Sequence, residues 1–521
     1  MTRRLLTTVA ALCGLMLASL GAAPSPAGAE PLPEQPLPEQ WRSYWVDAFN
    51  QGIYTPEEVS KLVQDAVALN ANALVVQTAR RYDCFCNRAL YPRTDAAIAP
   101  LPYDPLAEVI EQAHAAGLEV HAWVNVSTLW NSATPPSSPD HVYNQHGPSA
   151  TGADRWLNQR VDGAEQIGNN TYLDPANPAA VNYIVRAIQS IVREYDVDGI
   201  NLDYIRYPDF NSTTATSDWG YSEVSLARFQ AATGRTDRPD PADPQFSDWR
   251  RAQITNLVRK IYLGMWEVNP QVRLSMDAIT YGFGPQSVGG WQQTRTYAEV
   301  MQDWKGWLEG GFMDTVIAMN YKRNWLPDQA QMFSEWTEVI ADWQGERQAV
   351  NGPALYLNSI EDSVAQVNEV LASGAAGWSG YSYANPSNAH VDGPIELRDA
   401  ERAALTAALT GEGGPFAEPA AVPAMPWKAN PAEGHVAGRL VLTDGTPLDQ
   451  AQVSIRPLTG GPTQTLRTDG DGWFGFVHLD PGRYLVRAHL PAGVVGKPVA
   501  VVQVSAGEIA APDLSPLIPI R

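Results

Sequence analysis

The stretch Asp198-Gly-Ile-Asn-Leu-Asp-Tyr204 is the part of the sequence from which the fold is most easily worked out. Its short apolar run predicts a buried strand that ends at the acid Asp203. Similar runs, rich in β-branched or aromatic residues, lie before and after it, and helical patterns separate them. The eight predicted strands are 42–49, 73–78, 119–125, 199–204, 273–278, 315–320, 354–358 and 377–383. The predicted helices are 56–69, 105–116, 178–195, 249–268, 297–310, 327–342 and 360–373.

Eight apolar strands that alternate with helices predict an α/β fold, a (β/α)8 TIM-like barrel over residues 41–410. Several predicted helices begin with a proline in the first turn, as at Pro56 and Pro105, which is a common start signal. The alternative is a doubly wound open sheet. It is disfavoured because Asp47-Ala-Phe-Asn50 follows the first strand, where such a sheet usually carries a Gly-rich phosphate turn.

The C-terminal part of the chain carries only strand and turn signals. Runs such as 452–456 and 484–488, separated by turns such as Asp480-Pro-Gly482, predict a small antiparallel β-sandwich over residues 434–521. Residues 411–433 are rich in Gly, Pro, Ala and Glu without periodicity, which indicates a linker. The acids of Asp469-Gly-Asp-Gly472 are interpreted as turn residues, because the distal Glu of a calcium loop is absent.

The N-terminus has the pattern of a secretory signal peptide over residues 1–29. A basic start precedes an apolar run from Leu5 to Leu20, and the Ala27-Gly-Ala29 site follows it. A transmembrane anchor is the alternative, but the apolar run is shorter than the ~20 residues that span a bilayer. Residues 30–40 form a Pro-rich leader. We therefore expect an exported protein, secreted or held in the cell envelope, with no membrane span.

Two cysteines, Cys84 and Cys86, remain after the predicted cleavage. Two thiols fall short of the four ligands of a usual zinc site, so we expect a locally packed or loosely bridged pair and no metal.

The charge balance restricts the partners. Lys plus Arg number 36 and Asp plus Glu 57, a net charge of −21. Nucleic acid and anionic lipid would be repelled, so we expect neither as a partner. The 17 Trp and 20 Tyr supply flat apolar rings, which suit the faces of sugars as well as protein cores.

In a barrel of this kind the reactive groups lie at the C-terminal ends of the strands and in the loops that follow. No cysteine, no Ser–His pairing and no histidine cluster occurs at these positions, which counts against nucleophilic acyl transfer and zinc hydrolysis. The side chains there are Asp47, Gln77, Arg80, Trp123, Asn125, Asp203, Arg206, Tyr207, Asp277, Asn320, Tyr321, Asn358, Tyr381 and Tyr383. This set matches glycoside hydrolysis, which needs two carboxyl groups beside the scissile bond.

Asp203 is the first candidate, as nucleophile or charge stabiliser, because an acid at the end of an apolar strand is costly to bury without a partner. A salt bridge with Arg206 is its structural alternative. Asp277 ends the adjacent strand and is the candidate general acid. The predicted substrate-binding residues are Asp47, Gln77, Arg80, Trp123, Asn125, Arg206, Tyr207, Asn320, Tyr321 and Tyr381. A structural role is equally open for Asp47, and cross-loop bonding for Gln77, Arg80 and Asn125. This chemistry requires no cofactor.

Ordered segments of the first half of the chain resemble the "glycosyl hydrolase-like 10" family, also called domain of unknown function 187. They are 42–49, 73–80, 89–92, 117–125, 172–175 and 195–208. The resemblance implies a (β/α)8 glycosidase-like domain in exported bacterial proteins, with members linked to cell-wall glycan strands. It also points to Asp203 as the fourth-strand acid and to Gln77, Arg80 and Asn125 as site-lining residues.

The sequence departs from the family pattern in two places. Tyr204 stands where many relatives carry a second acid, and Asp277 stands where many carry none. In the C-terminal part, 468–474 and 479–484 resemble the carboxypeptidase regulatory-like sandwich domains.

The leading hypothesis is an exported glycoside hydrolase that cleaves O-glycosidic bonds in a polysaccharide, plausibly the glycan strands of peptidoglycan. A carbohydrate-binding or cell-surface scaffold protein on a barrel without catalysis is the main alternative. A lyase or transglycosylase that uses the same groups is a third. The sandwich is expected either to attach the protein to a surface or partner or to act as a stabilising appendage.

Overall fold

A computed structural model describes residues 37–519, and eight parallel strands close a barrel within them. The signal peptide predicted at 1–29 and the first part of the leader lie outside the described residues. The barrel strands are β1 Trp41–Val46, β2 Ala73–Ala79, β3 Glu119–Asn125, β4 Gly199–Asp203, β5 Arg273–Ile279, β6 Thr315–Met319, β7 Gln348–Gly352 and β8 Gly377–Tyr381. Each strand pairs with its neighbours in sequence, and β8 pairs with β1. The (β/α)8 barrel is confirmed, and the open-sheet alternative is wrong.

Eight helices accompany the strands. They are α1 Pro56–Ala68, α2 Pro105–Ala115, α3 Pro178–Glu194, α4 Pro244–Val268, α5 Trp304–Glu309, α6 Pro327–Trp343, α7 Ile360–Ser373 and α8 Ile395–Thr410. The side chain of Thr55 caps α1, which starts at a proline, and its buried residues Val59, Leu62, Val63 and Ala66 recur at helical spacing. This spacing places one apolar face against the barrel. Further helices are Val142–His146, Glu223–Thr233, Pro285–Val288, Arg295–Ala298 and Pro426–Ala429.

The prediction of the seventh strand at 354–358 is wrong. β7 is Gln348–Gly352, and Leu355–Leu357 forms a single 3-10 turn after it. β7 was overlooked because its apolar run is interrupted by two buried amides, Gln348 and Asn351. The Asn351 side chain donates to Thr337 Oγ1 at 2.7 Å, so its NH2 group has a partner inside the domain. The helix predicted at 297–310 is likewise divided into two short helices.

The insertion after β3 builds a small antiparallel sheet beside the barrel. Its strands are Thr128–Trp130, Gln166–Ile167 and Asn170–Tyr172. Nearer the barrel, a disulfide links Cys84 to Cys86 in the loop after β2, and both residues are buried. Of the two expected forms, a packed pair of thiols or a bridged pair, the structure has the bridged pair.

The C-terminal strands form two main sheets around a separate apolar core, as the sandwich prediction requires. One sheet contains Gly434–Arg439, Trp473–Leu479 and Ile509–Ala510, and the other contains Gln452–Pro457, Gln464–Arg467, Gly482–Ala488 and Val499–Val504. A two-stranded ribbon, Val494–Gly496 with Leu517–Pro519, completes this region.

Charged side chains join the sandwich to helix α4 and to the helix Glu223–Thr233. Lys260 Nζ lies 2.8 Å from Asp469 and 3.3 Å from Asp471, and all three groups are largely buried. Arg228 donates two hydrogen bonds to the carboxylate of Asp449, at 2.6 and 2.8 Å. Paired, buried charges of this kind hold two surfaces in one orientation.

Residues 411–433 run across the N-terminal ends of the barrel strands. Backbone carbonyls of this segment accept hydrogen bonds from buried side chains of the barrel: Arg42 donates to Glu418, Asn72 to Ala420, Arg273 to Pro423 and Gln348 to Ala424. This end of the barrel is covered, whereas the C-terminal ends of the strands open into a pocket.

Candidate active site

A pocket of about 360 Å³ lies at the C-terminal ends of the barrel strands. Six of the sequence-predicted site residues line it: Trp123, Asp203, Arg206, Asp277, Tyr321 and Tyr381. They come from strands β3, β4, β5 and β8 and from the loops after β4 and β6. The barrel therefore brings these six residues, which are up to 258 positions apart in sequence, from 123 to 381, together in one cavity.

The two predicted catalytic acids lie side by side. β4 and β5 pair in parallel with Leu202 opposite Met276, and Asp203 and Asp277 are the next residues on each strand. Adjacent strands are separated by about 4.8 Å, so the two carboxyl groups rise from neighbouring positions on the pocket wall. Asp203 is 5% exposed and Asp277 is 1% exposed.

Each acid receives a hydrogen bond from its own tryptophan. Trp123 Nε1 donates to Asp203 Oδ2 at 3.2 Å, and Trp45 Nε1 donates to Asp277 Oδ1 at 3.1 Å. The backbone N–H of Tyr204 also donates to Asp203 Oδ1, at 2.6 Å. These donors fix the direction of both carboxyl groups toward the cavity.

The environments of the two acids separate their proton affinities. Burial raises the pKa of Asp277 well above its usual range, and the negative charge of Asp203 raises it further. Burial also raises the pKa of Asp203, but the positive charge of Arg206 and the hydrogen bond from the Tyr204 N–H oppose the rise. Asp277 is therefore the group that holds a proton, and Asp203 is the group that ionises first.

Aromatic rings form the rest of the wall. The rings of Tyr321 and Tyr381 are stacked with centroids 5.2 Å apart, and Trp45 meets Tyr381 edge-on at 5.9 Å. Trp123 meets the same tyrosine at 6.4 Å. A small pocket with several aromatic faces and two acids suits a ring that presents C–H groups on its faces and hydroxyls at its edge.

Several pocket residues were missed in the sequence: Trp45, Tyr204, Asp209, Ile279, Thr280, Tyr281, Met319, Lys322 and Tyr356. Trp45 was detectable, because alternate residues of β1 face the barrel interior together with Trp41. Tyr281 and Lys322 follow their strands by two or three residues, and a wider window at the strand ends would have included them. Tyr356 carried no such signal, because its segment was predicted as a strand.

Lys322 places a nitrogen at the edge of the pocket. Its Nζ donates to the carbonyl oxygen of Thr280 at 2.8 Å, and the side chain is almost fully buried. Burial lowers the pKa of Lys322 to about 7. Tyr281 donates its hydroxyl to Asp209 at 2.8 Å, and this carboxylate lies 3.8 Å from Arg206.

Four of the predicted substrate-binding residues instead bond the loops that surround the pocket. Asp47 Oδ1 accepts the backbone N–H groups of residues 49 and 50, both at 3.1 Å. Gln77 accepts the N–H of residue 48 at 3.0 Å and donates to Asn125 at 3.4 Å. Asn125 donates to the carbonyl of Arg80 at 2.8 Å. Their polar groups hold the loops after β1, β2 and β3 together, and none of the four lines the pocket.

Two further predicted residues, Tyr207 and Asn320, are completely buried away from the pocket. Asn320 Nδ2 donates to the carbonyl of Phe333 at 3.0 Å, which joins β6 to helix α6. The ring of Tyr207 packs beside Gly220, where an added Cβ would approach it to 3.3 Å. Asn320 directly follows β6 and Tyr207 lies four residues after β4, but neither side chain lines the pocket.

We expect the hydrogen bonds from the two tryptophans to control opposite limbs of the pH–rate profile. An indole N–H favours the ionised carboxylate, so its removal raises the pKa of the acid it contacts. Trp45→Phe should move the alkaline limb to higher pH by roughly half to one unit, because the predicted general-acid role of Asp277 requires its protonated form. Trp123→Phe should move the acidic limb to higher pH by a similar amount, because the predicted role of Asp203 requires its ionised form. Unshifted limbs in both variants would contradict the assignment.

We expect Gly352→Ala to damage both stability and activity through Trp45. A Cβ on Gly352 would lie 2.3 Å from the Trp45 ring and 2.8 Å from the carbonyl oxygen of Ala318. The clash should lower the free energy of unfolding by about 1–3 kcal/mol, measured by urea denaturation, and displace the donor to Asp277. The smaller ring in a Trp45→Phe background provides the control. An equal cost of Gly352→Ala in both backgrounds would show that the ring is not responsible.

Within residues 37–519, no group of three or more His, Cys, Asp or Glu is arranged to hold a metal ion. Across the same residues, no helix combines the length and the apolarity needed to cross a membrane.

Comparisons with known proteins agree with this geometry. The family model "Glycosyl hydrolase-like 10" matches residues 40–369, and the "Carboxypeptidase regulatory-like domain" model matches residues 435–513. The glycosyl hydrolase YngK of Bacillus subtilis is 23% identical over 398 residues, which cover 72% of this chain and 70% of that protein. The glycosyl hydrolase DigH of Escherichia coli K12 is 24% identical over 241 residues, which cover 42% of this chain and about half (46%) of the relative.

A solved structure shares the fold. The glycoside hydrolase domain of PgaB (BpsB) from Bordetella bronchiseptica superposes with a TM-score of 0.50 at 17% identity, over 71% of this chain and 98% of that chain. The first family model alone covers more than half of the chain and contains both Asp203 and Asp277. The chain therefore belongs to the glycosyl hydrolase-like 10 family and is a glycosidase.

Proposed function

We propose that this glycosidase is exported and hydrolyses O-glycosidic bonds in a bacterial cell-wall polysaccharide, the glycan strands of peptidoglycan. The observation that carries the proposal is the pair of buried acids, Asp203 and Asp277, whose surroundings separate their proton affinities in one aromatic-lined pocket. The cell-wall substrate is supported by the resemblance of the chain to family members linked to glycan strands. Export is supported by the signal-peptide pattern of residues 1–29.

The mechanism follows from the proton affinities. Asp277, held protonated by burial and by the neighbouring negative charge, donates its proton to the glycosidic oxygen as the C–O bond breaks. Asp203, ionised and positioned by Trp123 and by the Tyr204 N–H, faces the positive charge that develops on the sugar ring. It attacks or stabilises this centre, and water then completes the hydrolysis. Both roles use side chains of this chain alone.

The proposal is tested by mass analysis of the soluble products after a chain that starts at Glu30 acts on purified cell-wall glycan. Glycan with and without stem peptides is compared, and the Asp203→Asn variant runs in parallel. We expect saccharides that have gained one water, released by the parent protein and not by the variant. Absence of release from both substrates would overturn the cell-wall assignment, whereas products without added water would indicate a lyase or transglycosylase.

A further inference from the structure

A second and larger cavity lies away from the active site, between the barrel and the sandwich. Its volume is about 800 Å³, within the range of ligand sites in proteins. Helices α3 and α4 provide its floor, and the first sheet of the sandwich provides one wall. We name it the seam cleft and define it by Gln145, Tyr183, Arg186, Glu267 and Trp473. It shares no lining residue with the pocket that contains Asp203 and Asp277.

The geometry of the seam cleft is fixed on both sides. Gln189 on α3 donates to the carbonyl of Gly264 on α4 at 2.8 Å, so the two floor helices are bonded together. The buried contacts of Lys260 with Asp469 and Asp471 hold the sandwich wall against α4. A cleft built in this way presents its side chains in one arrangement before a ligand arrives, which reduces the entropy lost on binding.

The lining of the seam cleft contains aromatic rings from both domains. Trp473 comes from the sandwich and is partly exposed, and its ring lies 5.6 Å from the Lys260 ammonium. Trp156 comes from the barrel insertion, stacks on His146 at 3.6 Å and meets the Tyr183 ring at 5.9 Å. Flat rings at fixed positions are the groups that pack on the apolar faces of pyranose rings.

Between these rings stand polar groups that the protein itself does not use. Across residues 37–519, the Arg186 guanidinium, the Glu267 carboxylate, the Gln145 amide and the Tyr183 hydroxyl make no hydrogen bond or ion pair with another residue. The other charges in the cleft are compensated, since Lys260 contacts Asp469 and Asp471 and Arg439 contacts Asp471. One uncompensated cation and one uncompensated anion leave the cleft close to neutral, which favours a ligand without net charge.

We propose that the seam cleft is a second saccharide-binding site, which holds an uncharged stretch of oligosaccharide. The aromatic rings would pack on the sugar faces, while Arg186, Glu267, Gln145 and Tyr183 would exchange hydrogen bonds with hydroxyl or acetamido groups at the edges. Because the cleft is separate from the active site, a chain bound there adds attachment without blocking hydrolysis. A polymer held at two sites gains avidity from effective concentration.

The test uses hydrogen–deuterium exchange of the full chain that carries Asp203→Asn, which removes turnover. The probes are the β-1,4-linked hexasaccharides of N-acetylglucosamine, glucose and mannose. We expect at least one of them to slow exchange about fivefold or more in peptides from α3 and from residues 471–475. Added Arg186→Ala should abolish this protection, because it removes the charged donor of the cleft, and Tyr183→Phe should weaken it.

Arg193→Ala is the matched control. Arg193 is an exposed arginine on the same helix, seven residues further along, and it does not line the cleft. Protection that survives Arg186→Ala, or that no hexasaccharide produces, would overturn the second site. This result is independent of the proposed reaction. If Arg186→Ala abolishes the protection but the parent protein hydrolyses no cell-wall glycan, the second site is supported and the proposed function is wrong.

Discussion

Replacing Asp203 with Asn should reduce hydrolysis by about 1,000-fold or more, because in the proposed mechanism the ionised carboxylate faces the developing positive charge. The amide keeps the size of the side chain, and its single oxygen accepts one of the two N–H bonds that the separate carboxylate oxygens take from Trp123 and Tyr204, so we expect the pocket to stay folded. Rates of glycan release measured by reducing ends, together with binding of the product oligosaccharide, separate loss of chemistry from loss of affinity. We expect the rate to fall and the affinity to remain.

Asp47→Asn is the matched control for Asp203→Asn. Asp47 also follows a barrel strand, but its oxygen accepts the N–H groups of the adjacent turn, and an amide oxygen does the same. Its activity should stay within a few-fold of the parent. An equal loss in both variants would show that the loops around the pocket, rather than the Asp203 charge, limit the reaction.

Asp277→Asn should reduce hydrolysis of natural glycan by about 100- to 10,000-fold, the range typical of general acid catalysis. A substrate with a 2,4-dinitrophenolate leaving group needs no proton, so the same variant should cleave it almost as fast as the parent. The alkaline limb of the pH–rate profile should disappear, because the group that must stay protonated is gone. Kinetics on both substrates between pH 4 and about pH 9 provide the measurement.

The stability of the Asp277→Asn variant gives an independent check. The folded-state pKa of Asp277 is raised, so its contribution is favourable below the pKa of the unfolded chain and is lost as pH rises through the folded pKa. The neutral amide removes this loss, so the variant should be at least as stable as the parent at pH 7. Asp209→Asn, another acid of the same pocket, should keep the alkaline limb. If the activated substrate is also lost in Asp277→Asn, the residue is not the proton donor.

Most of the barrel could be predicted from the sequence because strands buried on both faces read as short apolar runs. β7 is not predicted because Gln348 and Asn351 are buried polar residues, whose NH2 groups donate to acceptors that only the folded domain supplies. Periodicity depends only on which residues are apolar. It cannot predict hydrogen bonds between residues far apart in sequence, such as the bond between Asn351 and Thr337, which are 14 positions apart.

The candidate site could be predicted only where the end of a strand determines the position of a side chain. Asp203 and Asp277 end neighbouring parallel strands, and adjacent strands necessarily place them together. The same rule selected Gln77 and Asn125, whose side chains turn toward the loops, because position on a strand does not state where a long side chain points. Lys322 and Tyr356 reach the pocket from loops, whose conformations depend on packing rather than on a repeating pattern.

The carbonyl groups of residues 411–433 also set the limits of any excised catalytic fragment. A chain that stopped at Thr410 would lose the carbonyl acceptors that this segment offers to Arg42, Asn72, Arg273 and Gln348. Each of these hydrogen bonds contributes about 0.5–1.5 kcal/mol, and those from the two arginines about 1.5–3 kcal/mol, so their loss removes a large share of the stability of an ordinary domain. We therefore expect that the smallest stable barrel fragment includes residues 411–433, which composition alone predicts to be a linker. Such a fragment should end after residue 433.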